Sequence, residues 1–202
     1  MNKMTMKQNF YIILCFLLLS LTKSYSQESI KIGIKGGLNV ANIWGYGTSP
    51  NNSPIGGLNA GVYVNVGLAK KMGITAEVLY SQKGTVTKVS PAYQFVRINY
   101  IDIPVLFTYE FAKGLTGQIG LGMAIPTQAH VRQGTNETNF LPSCSTLVLS
   151  IPMGMVYEFE NGINFGWRAD FGASNIATHS SDGGKNYVFM LSVGYSFYKK
   201  EK

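Results

Sequence analysis

Two histidines, His130 and His179, are the first candidates for proton transfer in this chain, because imidazole alone changes charge near neutral pH in its unperturbed state. The run His179-Ser180-Ser181-Asp182 sets the base, hydroxyl and carboxylate of a hydrolase triad within four residues. A triad works only when the nucleophile lies within hydrogen-bond reach of a base that a third group orients. Adjacency of Ser, Asp and Gly is also what an ordinary loop provides. Two histidines with no Cys or His cluster fall short of a dedicated metal site. Gly120-Leu121-Gly122 follows a strand pattern but leads into no helix, so it is no dinucleotide loop. The chain is therefore expected not to be an enzyme and to need no metal or cofactor.

A second set of ionisable residues has a pattern of its own. Lys31, Lys35, Glu77, Arg97, Asp102, Glu158, Arg168 and Asp170 stand singly among small or polar residues that alternate with bulky apolar ones. Acids and bases spaced this way can neutralise one another across a narrow space. Charges withdrawn from water are tolerable only when paired and hydrogen-bonded. The chemistry they suggest is fold stabilisation by a buried ionic network, in preference to an ion or substrate pathway.

The elements that must carry them read as strands, whose side chains point to opposite faces in turn. Leu58, Ala60, Val62, Val64, Val66 and Leu68 oppose Gly57, Asn59, Gly61, Tyr63, Asn65 and Gly67. The same alternation recurs at 30–35, 74–81, 115–125, 147–158, 163–174 and 187–198. The stretch 95–109 fits one apolar outer row only if its phase slips once, which predicts a bulge near Tyr100. The count is eight strands. Tight connections at 69–72, 110–114 and 159–162 alternate with long ones at 39–54, 84–94, 126–144 and 175–185.

Composition says what surrounds these strands. Of 202 residues 13% are charged and 23 are Gly, against roughly 25% charged and about 7% Gly in average soluble domains. Mean hydropathy is only +0.08, which excludes a bundle of membrane helices, and the wealth of aromatic and branched residues excludes disorder. Residues 1–26 read as a secretory signal, with Lys3 and Lys7 ahead of the apolar run 11–21 and Ser24-Tyr25-Ser26 at the cleavage site. Removing them drops three lysines and no acid, so the formal charge falls from +7 to +4. Cys15 is lost as well, leaving Cys144 alone and no internal disulfide. With no Arg-rich stripe the basic balance gives no reason to expect nucleic acid.

An eight-stranded antiparallel up-and-down transmembrane β-barrel over 27–202 meets all these conditions. Its short turns would face the periplasm and its long loops the outside. A soluble lipocalin-like carrier also has eight strands, but carries its apolar row inside and its polar row outside. Here the polar row is the small one, suited to the narrow interior of an eight-stranded barrel, while the bulky row has aromatic girdles. The lumen is expected to be filled. Trp44, Tyr46 and Phe140 are candidate contacts in the loops 39–54 and 126–144, since binding commonly sits on loops of a rigid scaffold. Expected partners are outer-membrane lipid (lipopolysaccharide and phospholipid), met by a monomer.

Several segments carry a family likeness. Gly33-Ile34-Lys35-Gly36-Gly37-Leu38-Asn39-Val40-Ala41-Asn42 and Tyr100-Ile101-Asp102-Ile103-Pro104-Val105-Leu106 resemble the first- and fourth-strand motifs of the PorT-like outer-membrane β-barrel family of Bacteroidetes. Asp170-Phe171-Gly172-Ala173-Ser174-Asn175-Ile176 and Leu191-Ser192-Val193-Gly194-Tyr195-Ser196-Phe197 resemble it too. The resemblance implies the outer membrane and insertion by the barrel-assembly machinery, although Tyr198-Lys199-Lys200-Glu201-Lys202 follows the terminal aromatic signal. It also implies an alternative to a surface-interaction role, an accessory part in type IX-like protein secretion. A further alternative, from small outer-membrane barrels in general, is a lipid-modifying enzyme.

Overall fold

A computed structural model describes residues 29–44, 52–89, 92–177 and 183–201. The expected signal segment 1–26, Tyr46 and His179 lie outside these. The strands are β1 Ser29–Trp44, β2 Asn52–Ser53, β3 Ile55–Ala69, β4 Met72–Val89, β5 Ala92–Ala112, β6 Leu115–Gln133, β7 Asn136–Asn139, β8 Val148–Glu158, β9 Ile163–Gly172 and β10 Lys185–Glu201. Eight of them close a ring of antiparallel neighbours in the order β1, β3, β4, β5, β6, β8, β9, β10, and back to β1. β2 adds to β4 and β7 to β6. Closure leaves no unpaired edge in the ring, which a span through hydrocarbon requires.

Among the described residues no helix is long and apolar enough to cross a membrane. The strands carry that surface. Leu121 is 69% exposed and Leu38 60%, and each belongs to an outward row that runs unbroken around the ring. Monomers in water rarely expose contiguous apolar area beyond a few hundred Å². On β4 the outward apolar row runs from Met72 to Tyr80. That is roughly 27 Å along the strand and about 21 Å along an axis tilted by ~40°, close to the height of a lipid-facing band. Near the short turns Tyr109 meets Phe111 edge-on at 5.2 Å, and Tyr157 meets Phe159 at 4.9 Å. These pairs form part of an aromatic girdle.

Glycines on the inner row let the wall curve tightly. A Cβ on Gly61 would lie 2.0 Å from the Val78 carbonyl oxygen, and one on Gly154 would lie 2.2 Å from that of Trp167. No side chain fits at either approach.

Two expectations need correction. The long connections are mostly strand: β4 and β5 continue to Val89 and from Ala92, and β6 runs to Gln133 before turning into β7. The phase of β5 does not slip at Tyr100. Its even-numbered residues from Val96 to Thr108 face inward throughout, and the extra residue is Thr127 of β6, where Asn99 pairs with Gln128 but Tyr100 pairs with Pro126. The cause is the change of surroundings above the lipid-facing band. There the outer face leaves hydrocarbon for polar surroundings, so apolar Val96 and Ile98 turn in and Arg97 turns out.

Candidate functional site

The inner row builds a polar column that is open below and sealed above. At the short-turn end Lys31 donates to Glu158 Oε1 at 2.6 Å, and Ser196 Oγ also donates to Glu158 at 3.1 Å. Asn164 reaches the Tyr63 hydroxyl at 2.9 Å. Lys31, Tyr63, Glu158 and Asn164 line a cavity of about 1060 Å³, with Lys35 and Glu77 at its inner end and Lys70, Lys71 and Lys113 at its mouth. The lumen is thus filled only in part, because short side chains such as Gly67, Gly73 and Thr108 cannot occupy this half.

One level up, Arg168 grips Glu77 with two hydrogen bonds of 2.7 and 2.8 Å and donates a third to Gln118 at 3.0 Å. Lys35 shares the same carboxylate at 3.1 Å. Two cations on one anion leave this level one positive charge in excess. The next level has the opposite balance: Lys83 lies 2.9 Å from Asp102 and 3.4 Å from Asp170. Arg168 and Asp170 are successive inward residues of β9, so the two excesses sit one step apart and cancel. Such compensation is what makes buried charge tolerable. Lys83 also stands 5.1 Å from the centre of the Tyr100 ring, a cation–π distance. Asn186 donates to the Tyr100 hydroxyl at 3.1 Å.

Beside these charges Asn39, Asn59 and Ser81 form a buried amide cluster, with Asn59 Nδ2 donating to Asn39 Oδ1 at 2.6 Å and Asn39 Nδ2 to Ser81 at 3.0 Å.

Above Tyr100 the column ends in an apolar stopper. Ile98, Ala124, Ala129, Cys144, Val148 and Ile176 pack together, with Val96, Phe140 and Leu141 against them. The chain after β7 bends inward through a short 3-10 turn at Leu141–Ser143 and bonds to the segment after β9, Ser145 N–H donating to the Ile176 carbonyl at 2.6 Å. Burial pushes the Cys144 thiol pKa up, which disfavours the reactive thiolate.

The expected residues therefore divide. Lys31, Lys35, Glu77, Asp102, Glu158, Arg168 and Asp170 meet in the lumen. Arg97 does not; it is exposed on the outer row of β5. Its place is taken by Lys83, which a two-residue extension of the row Thr75, Glu77, Leu79, Ser81 reaches. Phe140 packs into the stopper and is no outward contact, while Trp44 is 51% exposed at the end of β1. His130 pairs with Glu137 at 3.1 Å on the outer wall. Among the described residues no cluster of three His, Cys, Asp or Glu could hold a metal.

Residues 25–200 match the family model described as outer membrane protein β-barrel domain. No curated protein matches the sequence. Among solved structures the fold is similar to that of neisserial surface protein A, with 11% identity and a TM-score of 0.58 over 82% of this chain and 97% of that one. It is also similar to Ail, the attachment invasion locus protein of Yersinia pestis, at 15% identity and a TM-score of 0.52 over 85% and 99% of the two chains. At these identities the likeness is one of fold.

Proposed function

We propose, from the premise that the chain belongs to the outer membrane protein β-barrel domain family, that it acts at the surface of a bacterium as a closed scaffold whose extended rim engages a partner. Its place is the bacterial outer membrane. The observation that carries the proposed role is the contrast between the two ends of the barrel. β4, β5 and β6 continue well past the apolar belt and, with β7, raise a four-stranded wall on one side. The stopper beneath that wall is apolar, and its packing ties the foot of β5 and β6 to β8 and to the segment after β9. A sealed lumen argues for a scaffold over a pore.

The finer assignment, a PorT-like protein of a Bacteroidetes bacterium exported by its 1–26 segment, rests on the motifs quoted above. Within the second of them Tyr100 and Asp102 serve the lumen, so that part of the motif supports the fold and names no partner. The test is a deletion strain complemented with either the wild-type chain or a chain whose 134–139 hairpin tip is trimmed. Loss of attachment to surfaces or other cells, restored by the wild type and not by the trimmed barrel, supports the scaffold role. Unchanged attachment overturns it. A secretome defect restored by both chains favours the accessory role in secretion instead.

A further inference from the structure

The outer face of the wall changes character in steps as it leaves the lipid. Tyr80, Ile101 and Ile125 lie side by side across β4, β5 and β6 and end the apolar row there. The next outward row is made of amides, Gln82, Asn99 and Gln128, with Asn99 donating to Gln128 at 2.8 Å. Above it stand Gly84, Arg97 and His130, then Val86, Phe95 and Arg132, and last Lys88 beside Tyr93. Arg97, Arg132 and Lys88 are exposed, and Tyr93 and Phe95 are 55% and 45% exposed. Among the described residues of β4 to β7 beyond the belt, Glu137 is the one acid, and it is engaged by His130. The face is therefore cationic, with exposed aromatic rings between the charges.

Its height fixes what it can meet. Arg97 lies four residues past Ile101, roughly 13 Å along the strand and about 10 Å along the barrel axis at a tilt of ~40°. The headgroup layer adds about 5–8 Å to each side of the hydrocarbon, and a long basic side chain bends towards the interface. The guanidinium thus falls at headgroup level. Arg97 is exposed, and Gly84 opposite it on β4 adds no side chain to the row. Arginine matches a phosphate with two parallel hydrogen bonds. A soluble macromolecule arriving along the membrane normal meets the hairpin tips, whereas the foot of this wall at Arg97 is reached from within the leaflet.

We propose that the lower part of this face, Arg97 with Arg132 and Phe95 one row above it, is a binding site for the phosphorylated headgroup of the outer leaflet's lipopolysaccharide. The arginines hold phosphate and the Phe95 ring packs against sugar. The site rests on the long-hairpin end being extracellular, but it stands apart from the rim's engagement of a partner, because a barrel with no partner still binds lipid here.

The test is a titration of the purified mature barrel in detergent with rough lipopolysaccharide and with the same glycolipid after removal of its phosphates. The wild type is expected to bind the phosphorylated form about tenfold more tightly. In Arg97→Gln/Arg132→Gln that preference disappears, and in Arg97→Lys/Arg132→Lys most of it remains. Equal affinity of the wild type for the two glycolipids overturns the proposal without recourse to any variant. So does a preference unchanged in the glutamine variant. Tighter binding of a soluble sulfated oligosaccharide than of lipopolysaccharide, lost with the same two arginines, also overturns it and assigns the face to a soluble glycan.

Discussion

Replacing Lys83 by methionine isolates the charge balance of the lumen. The side chain is 2% exposed and lies between Asp102 and Asp170, at 8% and 9%. Methionine keeps the length and apolar stem but removes the cation, so two buried carboxylates face each other with no positive partner between them. Removing one member of a buried ion pair costs about 3–5 kcal/mol, chiefly through the charge left behind. The cation–π contact with Tyr100 is lost as well, worth about 1 kcal/mol or more when desolvated. Against a total stability of about 5–15 kcal/mol, this is a large fraction. With a urea slope of roughly 2 kcal/mol per molar, a loss of 4 kcal/mol moves the midpoint down by about 2 M. The assay is urea unfolding of the refolded barrel in lipid vesicles, followed by heat-modifiable migration on gels. The triple change Lys83→Met/Asp102→Asn/Asp170→Asn removes the orphaned charges and should recover more than half of the loss. A loss below about 1 kcal/mol for Lys83→Met would refute the reasoning, since that is the worth of an exposed pair.

Three further outcomes follow from the same geometry. Glu77→Gln strands both Arg168 and Lys35 and should cost about 3–5 kcal/mol, whereas Glu158→Gln at the wetter mouth, where the Lys31–Glu158 pair is 25% and 20% exposed, should cost about 1 kcal/mol or less in the same urea assay. Gly61→Val puts side-chain atoms into the β4 backbone, so the chain should fail to give the compact, heat-modifiable band on refolding. Purified protein in planar bilayers should show no large, steady conductance steps, because the stopper around Ile98, Val148 and Ile176 closes the column.

The membrane-spanning part of this fold was legible because lipid imposes one rule on every strand. Outward residues must be apolar, and the period of two does the rest. The lumen charges were legible as interruptions of the inner row, and Asp102, Asp170 and Arg168 are found there together. Beyond the belt the rule reverses without any change in period. Val96 and Ile98 look like lipid-facing residues when read in sequence, and only a bulge at Tyr100 would keep them outside. The structure instead turns them inward, into the stopper, and puts the bulge at Thr127 on the neighbouring strand. Arg97 faces outward for the same reason. Lys83 is hard to read because Gly84, Thr85 and Lys88 have loop-like composition, although Ser81, Lys83 and Thr85 continue the inner row. The inward fold of Phe140 had no local signal, since its partners come from β5, β6, β8 and the segment after β9.

The orientation of the barrel, crossing the outer membrane with its extended wall outside, is open to direct measurement. In a Cys144→Ala background, single cysteines at Thr138 of β7 and at Lys71 in the β3–β4 turn can be exposed to a membrane-impermeant maleimide in intact cells. Both positions are exposed in the structure. Labelling is expected at 138 in intact cells and at 71 only after the outer membrane is permeabilised. Labelling at 71 in intact cells with 138 protected would contradict that orientation.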